Sequence, residues 1–220
     1  MRSRISPSSR AATRRTTILN EQQRRSREKA IFEAVLSLGE QGQDLTALTV
    51  RQIAEAAGIG KGTVYEYFSS KEEILRELTA YCLDSEMDML ESVLAPCTTL
   101  TAAEDAALTY LETLVRERIA VYQVVAQALR RSREPVHQPI VTHVMGRLRE
   151  ILYALLDRLR AAGQLKANVD NEYGVFAIIS ACLTCTVSIT PCPSLHASMS
   201  HVPQALGYTR RLLDAALRGQ

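Results

Sequence analysis

The chain has 220 residues, 46% of them hydrophobic and 23% charged, with 10 glycines and 7 prolines, values that exclude a wholly disordered, collagen-like or low-complexity protein. The net charge of +2 is unevenly spread: residues 1–71 carry 12 Lys/Arg against 7 Asp/Glu (+5), and residues 72–220 carry 14 against 17 (−3). Such a basic front points to an anionic partner there.

In chain order, residues 1–23 are rich in Ser, Thr and Arg and have no hydrophobic period, so they read as a disordered basic arm. Its arginines (Arg2, Arg4, Arg10, Arg14, Arg15) suit a DNA minor groove, phosphates or plain solvent. From Arg24 the pattern turns helical, with Ile31, Ala34, Val35 and Leu38 on one face and Gly39 and Gly42 as the stop. Val50, Ile53, Ala54 and Ala57 repeat that spacing behind Thr49 and Gln52, a capping-box pair. Gly58-Ile59-Gly60 interrupts, and Lys61–Phe68 follows with Val64 and Phe68 one turn apart. Ser70 and Glu73 form another capping-box pair before Ile74, Leu75, Leu78, Tyr81 and Cys82.

Behind Pro96 the chain stays helical. Thr101 with Glu104 predicts a cap for a helix carrying Leu108, Leu111, Leu114 and Val115. A bend at 116–119 separates it from a helix over Ala120–Arg131, and Pro135 and Pro139 frame a connection. A long helix places Val144, Leu148, Ile151, Leu155 and Leu159 on one stripe, with Gly163 as its stop. Tyr173–Thr209 has no Lys, Arg, Asp or Glu; its apolar part, Gly174–Ile189, is too short for a membrane span and reads as a buried or subunit-facing helix. A last helix carries Leu206, Leu213, Ala216 and Leu217. The fold class is all-α, with three short helices in front and five or six longer ones behind.

Five cysteines (Cys82, Cys97, Cys182, Cys185, Cys192) without a secretory signal favour free thiols and a cytoplasmic location. Cys182-x-x-Cys185 puts two thiols on one helix face, with Cys192 beyond, open to a metal or a thiol-reactive sensor, but the apolar setting without an electropositive neighbour favours small buried residues. His137 and His143 are not one helical turn apart, and neither a metal nor another cofactor is expected. Gly58–Thr63 lacks the glycine placement, the hydroxyl after lysine and the preceding strand of a phosphate loop. No G-x-S-x-G or H-E-x-x-H is present, and no enzyme is predicted.

The segment Thr49–Lys71 has the physics of a helix-turn-helix. Ile53, Ala54 and Ala57 pack the first helix, Gly58 allows a positive φ, Ile59 fills the gap, and Val64 and Phe68 anchor the second helix. Lys61, Gly62, Thr63, Tyr65, Glu66 and Tyr67 then face outward, where a helix fits the major groove. Lys61 and Lys71 suit phosphates, as does the hydroxyl of Thr49, and Gly62 permits close backbone approach.

Arg24–Asp84, with G-I-G-K-G-T-V-Y-E-Y-F-S-S-K-E-E-I-L at its centre, resembles the N-terminal domain of the TetR/AcrR family of bacterial transcriptional regulators. A departure is Gly60, where that family usually has Ser or Thr as the helix cap. The resemblance implies a domain over 24–71 (motif 49–68) and a helical ligand-binding and dimerisation domain over 72–220. It implies that Thr63 and Tyr65 meet bases or nearby phosphates, and that Thr49, Gln52, Tyr67 and Lys71 hold the DNA backbone. It also implies a homodimer through Val175–Ile189 and Ala205–Leu217, and a pocket between Leu75 and Leu159 for a small hydrophobic or aromatic effector. Tyr110, Tyr122, Gln123, Gln127, His143, Met145 and Phe176 are its candidate contacts, each also readable as plain core. The expected partners are double-stranded DNA, a second copy and the effector, with no membrane. The expected function is a repressor released from a palindromic operator; the alternative is a DNA-binding protein without small-molecule input.

Overall fold

The computed structural model describes residues 7–131, 133–135, 137–189 and 202–219, with side chains from Glu21 onward except those of 129, 130 and 189. Cys192 lies outside the described residues. Among them the chain forms nine helices: α1 (Pro7–Glu40), α2 (Val50–Ala56), α3 (Lys61–Tyr67), α4 (Lys71–Leu94), α5 (Leu100–Arg116), α6 (Ile119–Arg130), α7 (Gln138–Ala161), α8 (Asn171–Ile189) and α9 (Val202–Leu217). No helix among the described residues is long and apolar enough to cross a membrane. Two compact units divide inside α4, at Leu78/Thr79, rather than at the Lys71 expected from the sequence.

In the first unit α1, α2 and α3 pack against one another. Ile31 and Val35 of α1, Ile53 of α2 and Val64 of α3 have no exposed surface, and the Phe32 and Phe68 rings lie 5.6 Å apart. Ile74 and Leu78 are equally buried, which is why a unit reaching Leu78 captures the first turns of α4. α1 starts at Pro7, where the sequence predicts a disordered arm over 1–23. Residues 7–20 carry no hydrophobic period to recognise. From Glu21 onward ion pairs one turn apart support α1: Glu21–Arg25 at 2.7 Å, Arg24–Glu28 at 2.8 Å and Lys29–Glu33 at 3.5 Å.

The cap of α4 is split. Ser70 Oγ accepts from the Glu73 N–H at 3.1 Å, but the Glu73 carboxylate accepts from the N–H and hydroxyl of Ser69, not from Ser70. Both bonds stabilise the Glu73 anion and hold its pKa below the ordinary value.

The second unit is built from the rest of α4 and α5–α9. Its core runs through Leu83, Leu100, Leu152, Leu156, Leu159 and Leu217. α8 packs on α9, α5 and α7. Its approach to α7 uses the missing side chain of Gly174, where a Cβ would stand 2.7 Å from Leu156 Cδ1. Thr99, not Thr101, caps α5, accepting from the Ala102 N–H at 3.2 Å. The Thr101–Glu104 box expected from sequence does not form, because Glu104 faces inward and is buried. α7 begins with Pro139 in its first turn, and Gly163 ends it at φ 68°. The chain terminus is tied to the α7–α8 connection through Lys166 N–H to Leu217 O (2.9 Å) and Gly219 N–H to Gln164 O (2.8 Å).

Candidate nucleic-acid interface and apolar cavity

Thr49 Oγ1 accepts from the Gln52 N–H at 3.3 Å, and Gln52 Oε1 accepts from the Thr49 N–H at 2.9 Å and its hydroxyl at 2.7 Å. This reciprocal box fixes the start of α2 as the sequence predicts. Gly58 takes φ 66°, a left-handed turn that closes with the Ile59 N–H donating to Ala54 O at 3.0 Å. Gly60 then stands at the cap position of α3 in extended backbone, with no side chain to bond the helix start.

α3 divides sharply into two faces. Val64 is fully buried and the C-cap Phe68 nearly so, while Lys61, Gly62, Tyr65 and Glu66 are exposed, Tyr65 by 48%. Thr63 and Tyr67 are half-buried. The Lys61 ammonium lies 5.8 Å from the centroid of the Tyr65 ring. A Cβ on Gly62 would meet nothing within 4 Å, so this face is open for close approach. Thr49 and Gln52 are exposed at the entry to α2. Lys71 is half-buried and its ammonium donates to Thr46 O at 2.8 Å, leaving two further donors. The eight residues expected at a DNA surface therefore all retain access to solvent. Sequence reasoning passed over Arg51, exposed on α2 and paired with Glu55 at 2.7 Å.

The second unit holds a partly open cavity of about 570 Å³, lined by side chains from α4 through α9. Tyr110, Tyr122 and Met145 line it, as expected from their residue types. Gln123, Gln127, His143 and Phe176 do not. Gln123 and His143 are exposed, the latter 3.5 Å from Asp84; Gln127 is half-buried off the wall; Phe176 is 70% exposed on α8. Their places around the helices turn them away. The cavity also extends beyond the expected Leu75–Leu159, taking in Ile178 and Cys182 of α8 and Leu213 and Leu217 of α9.

Tyr110 donates to Glu86 Oε2 at 2.5 Å, and Arg118 pairs with the same carboxylate. Burial pushes the Tyr110 hydroxyl up to about 12, so it remains a donor. Cys182 lines the cavity, and burial pushes its thiol up to about 12; that of Cys185 is also raised. Both are protonated thiols at neutral pH. Among the described residues no group of three or more His, Cys, Asp or Glu is placed to hold a metal ion.

The wall residue that sequence reasoning missed is Glu104. The available signal was its register on α5, where Leu100, Ala103, Glu104, Leu108 and Leu111 share one helical face.

Residues 38–78 match the family model for bacterial regulatory proteins of the tetR family. That match falls within the first unit, Met1–Leu78. Over 89 residues it is 36% identical to the HTH-type transcriptional repressor KstR2 of Mycobacterium tuberculosis (strain ATCC 25618 / H37Rv), the match covering 39% of this chain. That match spans 44% of the relative's length, less than half of it. The TetR-family likeness in fold reaches further. SmeT, repressor of the Stenotrophomonas maltophilia multidrug efflux pump SmeDEF, superposes with a TM-score of 0.66 at 17% identity, covering 88% of this chain and 91% of SmeT. A SmeT–triclosan complex gives 0.65 at 19% identity, covering 89% and 93%. The ketosteroid regulator KstR2 of M. tuberculosis gives 0.56 at 21% identity, covering 88% and 96%.

Proposed function

We propose that the chain is a homodimeric transcriptional repressor, not an enzyme, that leaves a palindromic operator when a small apolar molecule enters its cavity. The observation that carries this reading is the split of α3: Val64 and Phe68 anchor it while Lys61, Gly62 and Tyr65 lie open. A helix so presented fits the major groove. Thr63 and Tyr65 would meet bases or nearby phosphates, and Thr49, Gln52, Lys61, Tyr67 and Lys71 phosphates. One short helix reads only a few base pairs, so specificity calls for two copies about one DNA turn apart. The exposed apolar side chains Phe176 of α8 and Tyr208 and Leu212 of α9, none of them on the cavity wall, support a dimer surface on those helices.

α4 is the candidate transmitter: one helix, Lys71–Leu94, carries Lys71 near its start and Leu83, Met87 and Leu90 on the cavity wall. A molecule that binds one position of α4 better than another shifts the population toward it, to the extent of that difference in affinity. The triclosan bound to SmeT and the ketosteroid association of KstR2 support an apolar effector class.

Selection of bound duplexes from a random pool tests the DNA half. Recovery of a two-fold symmetric sequence, released by an apolar cavity ligand, supports the reading; equal affinity for all duplexes refutes it.

A further inference from the structure

Among the described residues lining the cavity, Glu104 alone is an acid or base of the Asp, Glu, His, Lys or Arg type. Its side chain is 1% exposed and sits between the wall residues Ala103 and Ala107. Oε2 lies 3.5 Å from an Arg218 guanidinium nitrogen, but Oε1, also buried, has no hydrogen-bond partner. A buried carboxylate oxygen without a donor is costly, so the protein tolerates here a group that a bound donor would satisfy.

The surrounding charges do not cancel it. Arg218 is shared with Asp214, to which it is ion-paired, and with Thr101 Oγ1 at 3.2 Å. Arg210 pairs with Asp105. Arg218 and Arg210 favour the Glu104 carboxylate, whereas Asp214 opposes it through its charge and through a side-chain hydrogen bond that favours the protonated form. α6 over Ile119–Ala128 and α8 over Tyr173–Ser188, both lining the cavity, bring no Asp, Glu, Lys, Arg or His.

We propose that the cavity selects an apolar organic cation, its protonated amine seated on Glu104 Oε1 and its hydrocarbon body against residues such as Leu111, Leu152 and Ile178. This rests on reading the cavity as a ligand site and adds the ligand's chemical class. Desolvation, and next the Asp214 charge, push Glu104 up to about 7 from an ordinary 4.5. A cation docked there holds the group as carboxylate, so binding displaces its proton and strengthens as pH rises through 7. A neutral alcohol gains one uncharged bond, and a carboxylate is repelled.

The test uses the full chain and three probes with one body: 1-pyrenemethylamine, 1-pyrenemethanol and 1-pyrenecarboxylate. Binding is read from pyrene emission, and the chain contains no tryptophan to interfere. The amine is expected to bind about tenfold tighter than the alcohol at pH 8, with the carboxylate weakest. Its affinity should rise several-fold from pH 6 to pH 8 in the unmodified protein, a readout that needs no variant. In Glu104→Gln the amine's advantage should shrink to within about twofold and its pH dependence vanish. Equal or tighter binding of the alcohol or carboxylate, or an amine preference that survives Glu104→Gln, overturns the proposal while leaving a ligand cavity in place. Failure of all three probes to bind overturns the cavity reading together with the proposal.

Discussion

The first unit has a packed core and an open polar face; the second lines a partly open cavity with apolar side chains. In the first, Ile31, Val35, Ile53 and Val64 have no exposure and the Phe32 and Phe68 rings pack together, so α3 is held in one place. In the second, six helices contribute to walls around about 570 Å³. The contrast separates two physical demands. Reading a groove needs a helix fixed to within a fraction of an ångström. Accepting a small molecule needs side chains that are not already fully packed, so some packing energy is forgone.

Five substitutions test that contrast, from the largest expected effect down. Phe68→Ala removes the ring beneath α3 and is expected to destabilise the first unit by about 3–5 kcal/mol. In denaturant melts its transition should separate from that of the second unit. Loss of less than about 1 kcal/mol would mean that α3 is not held by this contact.

Glu104 gives the second unit a distinctive pH profile. Its folded value of about 7 exceeds the ordinary 4.5. The folded state therefore keeps a proton that the unfolded chain has released. Stability from this group is complete below pH 4.5, falls as pH rises to about 7, then levels off. Thermal melts should show a loss on the order of 1–3 kcal/mol across that window, flattened in Glu104→Gln. An unchanged profile in the variant would remove Glu104 as its source.

The same enlargement should have different costs in the two units. Ala54→Phe enters a packed core, Ala54 being 2% exposed, and is expected to cost about 1–3 kcal/mol. Ala107→Phe points into the cavity wall and should cost less than about 1 kcal/mol while weakening ligand binding. Equal costs would contradict the cavity account. Smallest is Gly60→Ser: a Cβ there has only Thr63 Oγ1 nearby, at 3.8 Å, and the new hydroxyl can cap α3. A gain of a few tenths of a kcal/mol is expected in thermal melts, and any loss would show the cap site to be strained.

The first unit was legible because its signals are local. Thr49 and Gln52 bond each other across three residues, Gly58 needs its own φ, and Val64 and Phe68 lie one turn apart. The second was legible in its helices but not in its site. Thr99 and Thr101 are equally good cap residues in sequence, and choosing Thr101 assigned Glu104 to a cap and hid it from the cavity. α8 is uncharged from Tyr173 to Ser188, so its pattern does not say that Val175 turns in and Phe176 out. Residue type makes Gln123, Gln127 and His143 candidate ligand contacts, whereas their place around the helix axis decides where they point. α1 extends to Pro7, over a stretch of Ser, Thr and Arg that carries no hydrophobic period to recognise.

The account turns on the exposed side of α3, and fluorescence anisotropy of a selected duplex measures it most directly. Tyr65→Ala and Lys61→Ala should each leave the melting temperature within about 2 °C, because both side chains lie outside the core. Each should weaken binding by about tenfold, with Lys61→Ala also reducing the salt dependence by about one phosphate contact. Undiminished affinity in both variants would contradict the claim that this face reads DNA.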